Sequence, residues 1–154
     1  MQEDKSFFKF EDRLDMVKQG TADLKNVVVI SSGKFIISSL TFPEYFMKDY
    51  VKEKNFDVSR DVETFCKYIA PPLSIKKRFA GEEPFDPVTM NYNENMLRIL
   101  PKYGIVFCEI PRLAIDGKRV INATEVRRLL KERNFERIEE YVPKTTLSIL
   151  KEKY

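Results

Sequence analysis

Three short strand-like runs, "NVVVIS" (26–31), "KKRFAG" (76–81) and "GIVFCEI" (104–110), alternate with stretches whose apolar residues recur at helical spacing. A strand that is apolar on successive residues must be covered on both faces. Helices between successive strands supply that cover in a parallel sheet. The alternation therefore predicts an α/β fold: a mostly parallel sheet with helices on both faces. Ligands of such sheets bind beyond the carboxyl ends of the strands. The loops at 31–41, 80–87 and 111–124 are the places to watch.

The helical stretches are specific. Phe10, Leu14 and Val17 with Gly20 behind them predict a helix over 9–19. "SGKFIISS" (32–39) reads as a turn with room for a second short strand, and 41–51 as a loop entering a short helix. Val58, Val62, Phe65, Cys66 and Ile69 form one apolar stripe, stopped by Pro71-Pro72. Asp86 followed by Pro87 is an N-cap with proline at the first helical position, and Val88, Tyr92, Met96, Ile99 and Leu100 carry that helix to Pro101. A turn at Asp116-Gly117 precedes an all-helical end, 123–154, with Phe135, Ile138, Tyr141 and Val142 on one side.

A chain of 154 residues is long enough for one domain with a real core, and 43% apolar residues with 12 Phe and 7 Tyr argue for close packing. The net charge of +3 permits an anionic ligand without asking for nucleic acid. No apolar run reaches the roughly 18 residues of a membrane span. "MQEDKSFF" is no secretory signal, so the expected location is the cytoplasm. Cys66 and Cys108 read as two buried free thiols. There is no histidine, which excludes Ser-His-Asp and Cys-His catalysis and any His-ligated metal.

"VINATEVRRLL" (120–130) carries most of the functional argument. Asn122 is a good N-cap, Glu125 stands at capping-box spacing, and Val126, Leu129 and Leu130 give a buried stripe. That is sufficient for an ordinary capped helix. The same start offers free N–H groups, the Thr124 hydroxyl and the Arg127 guanidinium to a phosphate. Both readings stand on the residues alone.

"INATEVRRLL" resembles the phosphate-binding helix start of the nucleotidyltransferase superfamily. Longer strings, "EDKSFFKFEDRLDMVKQG", "FIISSLTFPEYF" and "FCKYIAPPLSIKKRFAGEEPFDPVTMNYNENMLRILPKYGIVFCEIPR", resemble the C-terminal domain of the citrate lyase ligase family over nearly the whole chain, 1–154. The resemblance implies a Rossmann-like parallel sheet. It implies an enzyme that activates acetate with ATP and Mg2+ as acetyl-adenylate. The acetyl group then passes to the thiol of the CoA-like prosthetic group on the acyl-carrier subunit of citrate lyase. Thr124 and Arg127 fall on the family's hydroxyl and arginine positions, with Asn122 where serine is usual. Gly81 and Glu82 fall on its Gly-x-Glu-Pro loop and Arg13 on a helix near the nucleotide. Ser38, Ser39, Thr41 and Pro43 fall on a string with a turn or substrate-side role.

One departure is large. The superfamily's "HxGH" loop and the first strand before it have no counterpart in the sequence. The resemblance therefore implies a partial domain, a sheet incomplete on its N-terminal side, and self-association through an open strand edge. Three readings follow: the nucleotide-binding part of a ligase active only in a complete chain; a non-catalytic module that binds nucleotide or citrate lyase; or an unrelated interaction protein using its C-terminal helices.

Overall fold

The computed structural model describes residues 6–43, 57–115, 117 and 119–154, with the backbone alone at Arg119. They group into two compact units, one built on 32–112 and one joining the segment up to Ser31 with 113–154.

In the first unit, helix α2 (Ser59–Thr64) widens into a π-helical turn, Phe65–Ile69, closed by a bond from the Ala70 N–H to the Phe65 carbonyl at 2.9 Å. Strand β1 (Lys77–Gly81), helix α3 (Pro87–Ile99), a 3-10 turn (Leu100–Tyr103) and strand β2 (Val106–Ile110) follow. The start of α3 is made as its sequence predicts. The Asp86 carboxylate accepts from the Val88 N–H at 3.3 Å and the Thr89 hydroxyl at 2.7 Å. Gly104 ends the 3-10 turn at φ +69, a left-handed position that suits glycine.

β1 and β2 pair in parallel, Lys77 opposite Val106 through Gly81 opposite Ile110. One face carries Ala80 and Phe107 into a core of Phe42, Val58, Val62, Phe65, Met96 and Leu100. The other face holds Phe79, Val106 and Ile110, all more than half exposed.

The second unit contains α1 (Phe10–Gly20), a short antiparallel pair β3 (Ala114–Ile115) and β4 (Arg119–Val120), then α4 (Ala123–Lys131), α5 (Phe135–Ile138) and α6 (Lys144–Lys153). Val126, Leu129, Leu130, Ile138, Tyr141, Leu147 and Leu150 form its core, with Phe135 and Val142 against it.

Several expectations are corrected. Residues 26–31 form no strand: Val28 is 80% and Ile30 65% exposed. A β-branched run becomes a strand only when a neighbouring strand takes up its N–H and C=O groups; here the Val27 N–H turns back to the Leu24 carbonyl at 3.1 Å, and neither sheet among the described residues includes the run. Residues 32–39 form turns instead of a strand. The sheet has helices on one face, not both, among the described residues. Helix α1 forms, but Val17 of its expected stripe is half exposed and Asp12 is buried instead. Its carboxylate accepts from Lys153 at 2.6 Å and Tyr154 at 2.8 Å, partners no local pattern reveals. Cys66 is buried as expected and Cys108 only half-buried; both are free. From residue 44 on, the expected loop-to-helix at 41–51 lies outside the described residues, as does Asp116.

Candidate functional site

The residues singled out from the sequence divide between the two units. Asn122, Thr124, Arg127 and Arg13 belong to the second; Gly81, Glu82, Ser38, Ser39 and Thr41 belong to the first.

At the start of α4 the Asn122 side chain is a working cap. Its carbonyl accepts from the Glu125 N–H at 2.8 Å and its amide donates to the Val120 carbonyl at 3.1 Å. Thr124 is exposed and takes a bond from the Arg127 guanidinium at 3.0 Å. Thr124 and Arg127 are therefore brought together on one side of the first turn. Arg128 points elsewhere, to Glu125 at 2.7 Å and Glu132 at 2.6 Å. The two glutamates push its pKa up, Glu125 first. Leu129, fully buried, fixes the helix from the other side. Arg13 donates to the carbonyls of Phe8 at 3.1 Å and Lys9 at 3.4 Å, so its guanidinium secures the entry to its own helix.

In the first unit a cavity of about 460 Å³ opens at the carboxyl end of the parallel pair. Its walls are the apolar Met90, Leu97 and Phe107 and the carboxylates of Glu82, Glu83, Glu94 and Glu109. Asn93, buried on α3, spans the strand ends: its amide donates to the Gly81 carbonyl at 3.0 Å and to Glu109 at 2.8 Å. A Cβ built on Gly81 would meet nothing within 4 Å, so the glycine leaves open space there. The Glu82 N–H continues the ladder to the Ile110 carbonyl at 2.8 Å. Arg112 ties the two strand-end loops together, donating to the Glu82 carbonyl at 2.8 Å and pairing with Glu83. Glu83 also accepts the N–H groups of Phe85 at 3.0 Å and Asp86 at 3.2 Å, which sets the entry to α3.

The sequence reading missed Arg112, Asn93 and Glu109. The signal was the register. Arg112 stands 29 positions after Glu83, the same offset as Val106 from Lys77. Two parallel strands paired at that offset bring those residues side by side.

Ser38 and Thr41 are buried and bond to each other: the hydroxyls lie 3.2 Å apart, and Ser38 donates to the Lys34 carbonyl at 2.8 Å. They build a turn. Ser39 is exposed.

A family model, citrate lyase ligase C-terminal domain, matches residues 1–150. The chain belongs to the citrate lyase ligase family. A citrate (pro-3S)-lyase ligase of Haemophilus influenzae is 39% identical over 96% of the chain and 45% of its own length. Those of Escherichia coli K12 and Klebsiella pneumoniae are 38% and 34% identical over 97% of the chain. The chain spans less than half the length of these ligases, 44–45%. No solved structure matches it.

Proposed function

We propose that this chain is the nucleotide-handling part of an ATP-dependent ligase that acts on citrate lyase. The family match over 1–150 carries the reading. In it, an acetate oxygen attacks the α-phosphorus of ATP, the bond to the β-phosphate oxygen breaks, and pyrophosphate leaves. The prosthetic-group thiol of the acyl-carrier subunit then attacks the acetyl carbonyl. AMP leaves and the thiol proton passes to solvent. The reaction belongs to the cytoplasm, where ATP is held.

Each unit contributes an argument of its own. At the start of α4, the N–H groups ahead of the Asn122-capped Glu125, the exposed Thr124 hydroxyl and Arg127 suit phosphate oxygens; a fork-shaped guanidinium binds such oxygens in pairs. At the strand ends, four carboxylates repel phosphate but accept hydroxyl protons, so Glu82 beside Gly81 suits the ribose of a nucleotide. Among the described residues no group of three or more acidic, thiol or imidazole ligands is placed to hold a metal. Mg2+ in this reading would be held by the nucleotide and would supply charge neutralisation to the phosphates.

The test is ATP–pyrophosphate exchange dependent on acetate, with the Escherichia coli ligase as positive control. Exchange by this chain supports catalysis. ATP binding without exchange supports the second reading, a non-catalytic nucleotide-binding module. Neither exchange nor binding sinks both.

A further inference from the structure

Asn93 leaves one polar atom unused. The residue is only 6% exposed, yet it lines the strand-end cavity. Both partners of its amide, the Gly81 carbonyl and the Glu109 carboxylate, are acceptors, so the amide nitrogen must face them. That fixes the side-chain oxygen as well, and among the described residues nothing donates to it. The oxygen is not sealed in the core: the sealed side-chain atoms without a partner are those of Arg78 and Thr145. It therefore opens on the cavity that its residue lines. An acceptor held in place by two spent amide protons calls for a donor from outside the protein.

Its surroundings say what kind of donor. Glu109 is held by Asn93 through one carboxylate oxygen at 2.8 Å and keeps the other. Glu94 follows Asn93 on α3, and both glutamates line the cavity. Two carboxylates and an amide oxygen make a set of acceptors. Such a set attracts a cation that brings its own N–H groups. A primary ammonium brings three N–H donors and one positive charge.

The rest of this side of the cavity is apolar: Met90 and Leu97 on α3, Phe107 on β2. That wall suits an aliphatic chain carrying the ammonium, and an aromatic ring close to the charge favours it further. A metal ion gains nothing from an apolar wall. Among the described residues no three acidic, thiol or imidazole groups are placed to bind one.

We propose that the α3 side of the cavity binds a small aliphatic amine in its ammonium form, with its N–H groups on the Asn93 oxygen, Glu109 and Glu94 and its chain along Met90, Leu97 and Phe107. The site is independent of the nucleotide reading. Glu82, which that reading assigns to the ribose, has no part in it, and no nucleotide enters the test.

The test is an NMR titration of this chain with butylammonium at pH 7, read at the backbone amides of Asn93 and Glu109. Saturable shifts are expected, with a dissociation constant of about 1 mM or lower. Glu94→Gln and Glu109→Gln each remove one charge and keep a side-chain oxygen, and each should weaken binding about threefold to tenfold. Glu136→Gln, in the second unit, removes the same charge and should change nothing. Both cavity glutamates are exposed, and circular dichroism checks the fold; should Glu109→Gln unfold, Glu94→Gln carries the test alone. Two controls separate the contributions. 1-Butanol keeps the chain without the charge, and tetramethylammonium keeps the charge without N–H groups; each should bind at least about tenfold more weakly. Nα-acetyllysine methylamide carries the same ammonium on a peptide unit. Its binding as tightly as butylammonium assigns the site to a lysine side chain, and its exclusion assigns the site to a free amine; both support an ammonium site. No saturable shift, equal binding of either control, unchanged affinity in the cavity variants, or tighter binding of Mg2+ or Ca2+ at the same amides would each overturn the proposal.

Discussion

Tyr92 of α3 donates its hydroxyl to the Asp61 carboxylate of α2 at 2.5 Å, joining two elements 31 positions apart. The other Asp61 oxygen holds the Ile37 N–H. Arg78 of β1 donates to the Tyr92 hydroxyl oxygen at 2.9 Å and lies 4.2 Å from the centre of the Phe65 ring. Burial raises the Tyr92 pKa against the opposing pull of Arg78, so the hydroxyl stays protonated and remains a donor. One acidic side chain thus fixes the turn, two helices and a strand of the first unit.

Removing it should be costly. Asp61→Ala strands the Ile37 N–H and the Tyr92 hydroxyl in the core, each worth about 1–3 kcal/mol when buried without a partner. Tyr92→Phe removes one partner and should cost about 1–2 kcal/mol. Urea unfolding monitored by circular dichroism should rank Asp61→Ala well below Tyr92→Phe. Equal losses would mean that the Ile37 bond contributes nothing.

Asn93→Leu tests the strand-end cavity. The substitution keeps bulk but leaves the Gly81 carbonyl and the Glu109 carboxylate without the amide that serves both. A loss of about 1–3 kcal/mol is expected in urea unfolding. In the nucleotide-site reading, ATP affinity falls as well. Unchanged stability would show that water replaces the amide at no cost.

Helix α3 was legible because everything that makes it is local: an Asp cap, a Pro at the first turn and a buried stripe of Val88, Tyr92, Met96 and Ile99. The start of α4 was legible for the same reason. The strand expected at 26–31 failed because a parallel partner is never local, and its β-branched residues specify a preference without a partner strand. The buried face of α1 was hidden because Asp12 owes its burial to Lys153 and Tyr154, more than 140 positions away. The strand-end cavity lay between these cases. Gly81 and Glu82 stood out in the sequence, while Arg112 and Asn93 become visible only once the strands are in register.

The Asp12 anchor gives a pH prediction for the second unit. Bonds from Lys153, then Tyr154, hold the Asp12 carboxyl below its ordinary value of 3.8. The bond to Asp12 holds the Lys153 ammonium above 10.5. A depressed acid stabilises the fold above its unfolded pKa and loses that contribution as pH falls through the folded value; a raised base stabilises below its unfolded pKa and loses it as pH rises through the folded value. The anchor should therefore be complete between those two ordinary values and weaken on either side. Asp12→Asn should flatten the acid limb of thermal midpoint against pH. An unchanged acid limb would remove the anchor from the account.

The bare sheet face predicts association. Phe79, Val106 and Ile110 are 60%, 53% and 51% exposed on a parallel pair, a sheet type that natural folds cover on both sides. Light scattering should show mass rising with protein concentration, and Phe79→Ser with Ile110→Ser should suppress it. A wild-type mass independent of concentration would refute this.

Arg127 gives the sharpest test of the α4 start as a phosphate site. Its guanidinium already lies over the first turn, 3.0 Å from the Thr124 hydroxyl, while Arg128 is committed to Glu125 and Glu132. Arg127→Ala should lower ATP affinity about tenfold to a hundredfold, the value of one charge-assisted contact of roughly 1.5–3 kcal/mol. Arg127→Lys should recover only part, since lysine keeps the charge and loses the fork. Arg128→Ala, about 100° away around the helix, should leave ATP affinity within twofold of wild type. Asn122→Ala separates capping from binding: it should cost about 1 kcal/mol of stability through the lost Glu125 N–H bond. Calorimetric titration of ATP into the four variants decides. Equal affinities for wild type and Arg127→Ala, with the fold intact, would reduce this stretch to a capped helix and move the phosphate site elsewhere.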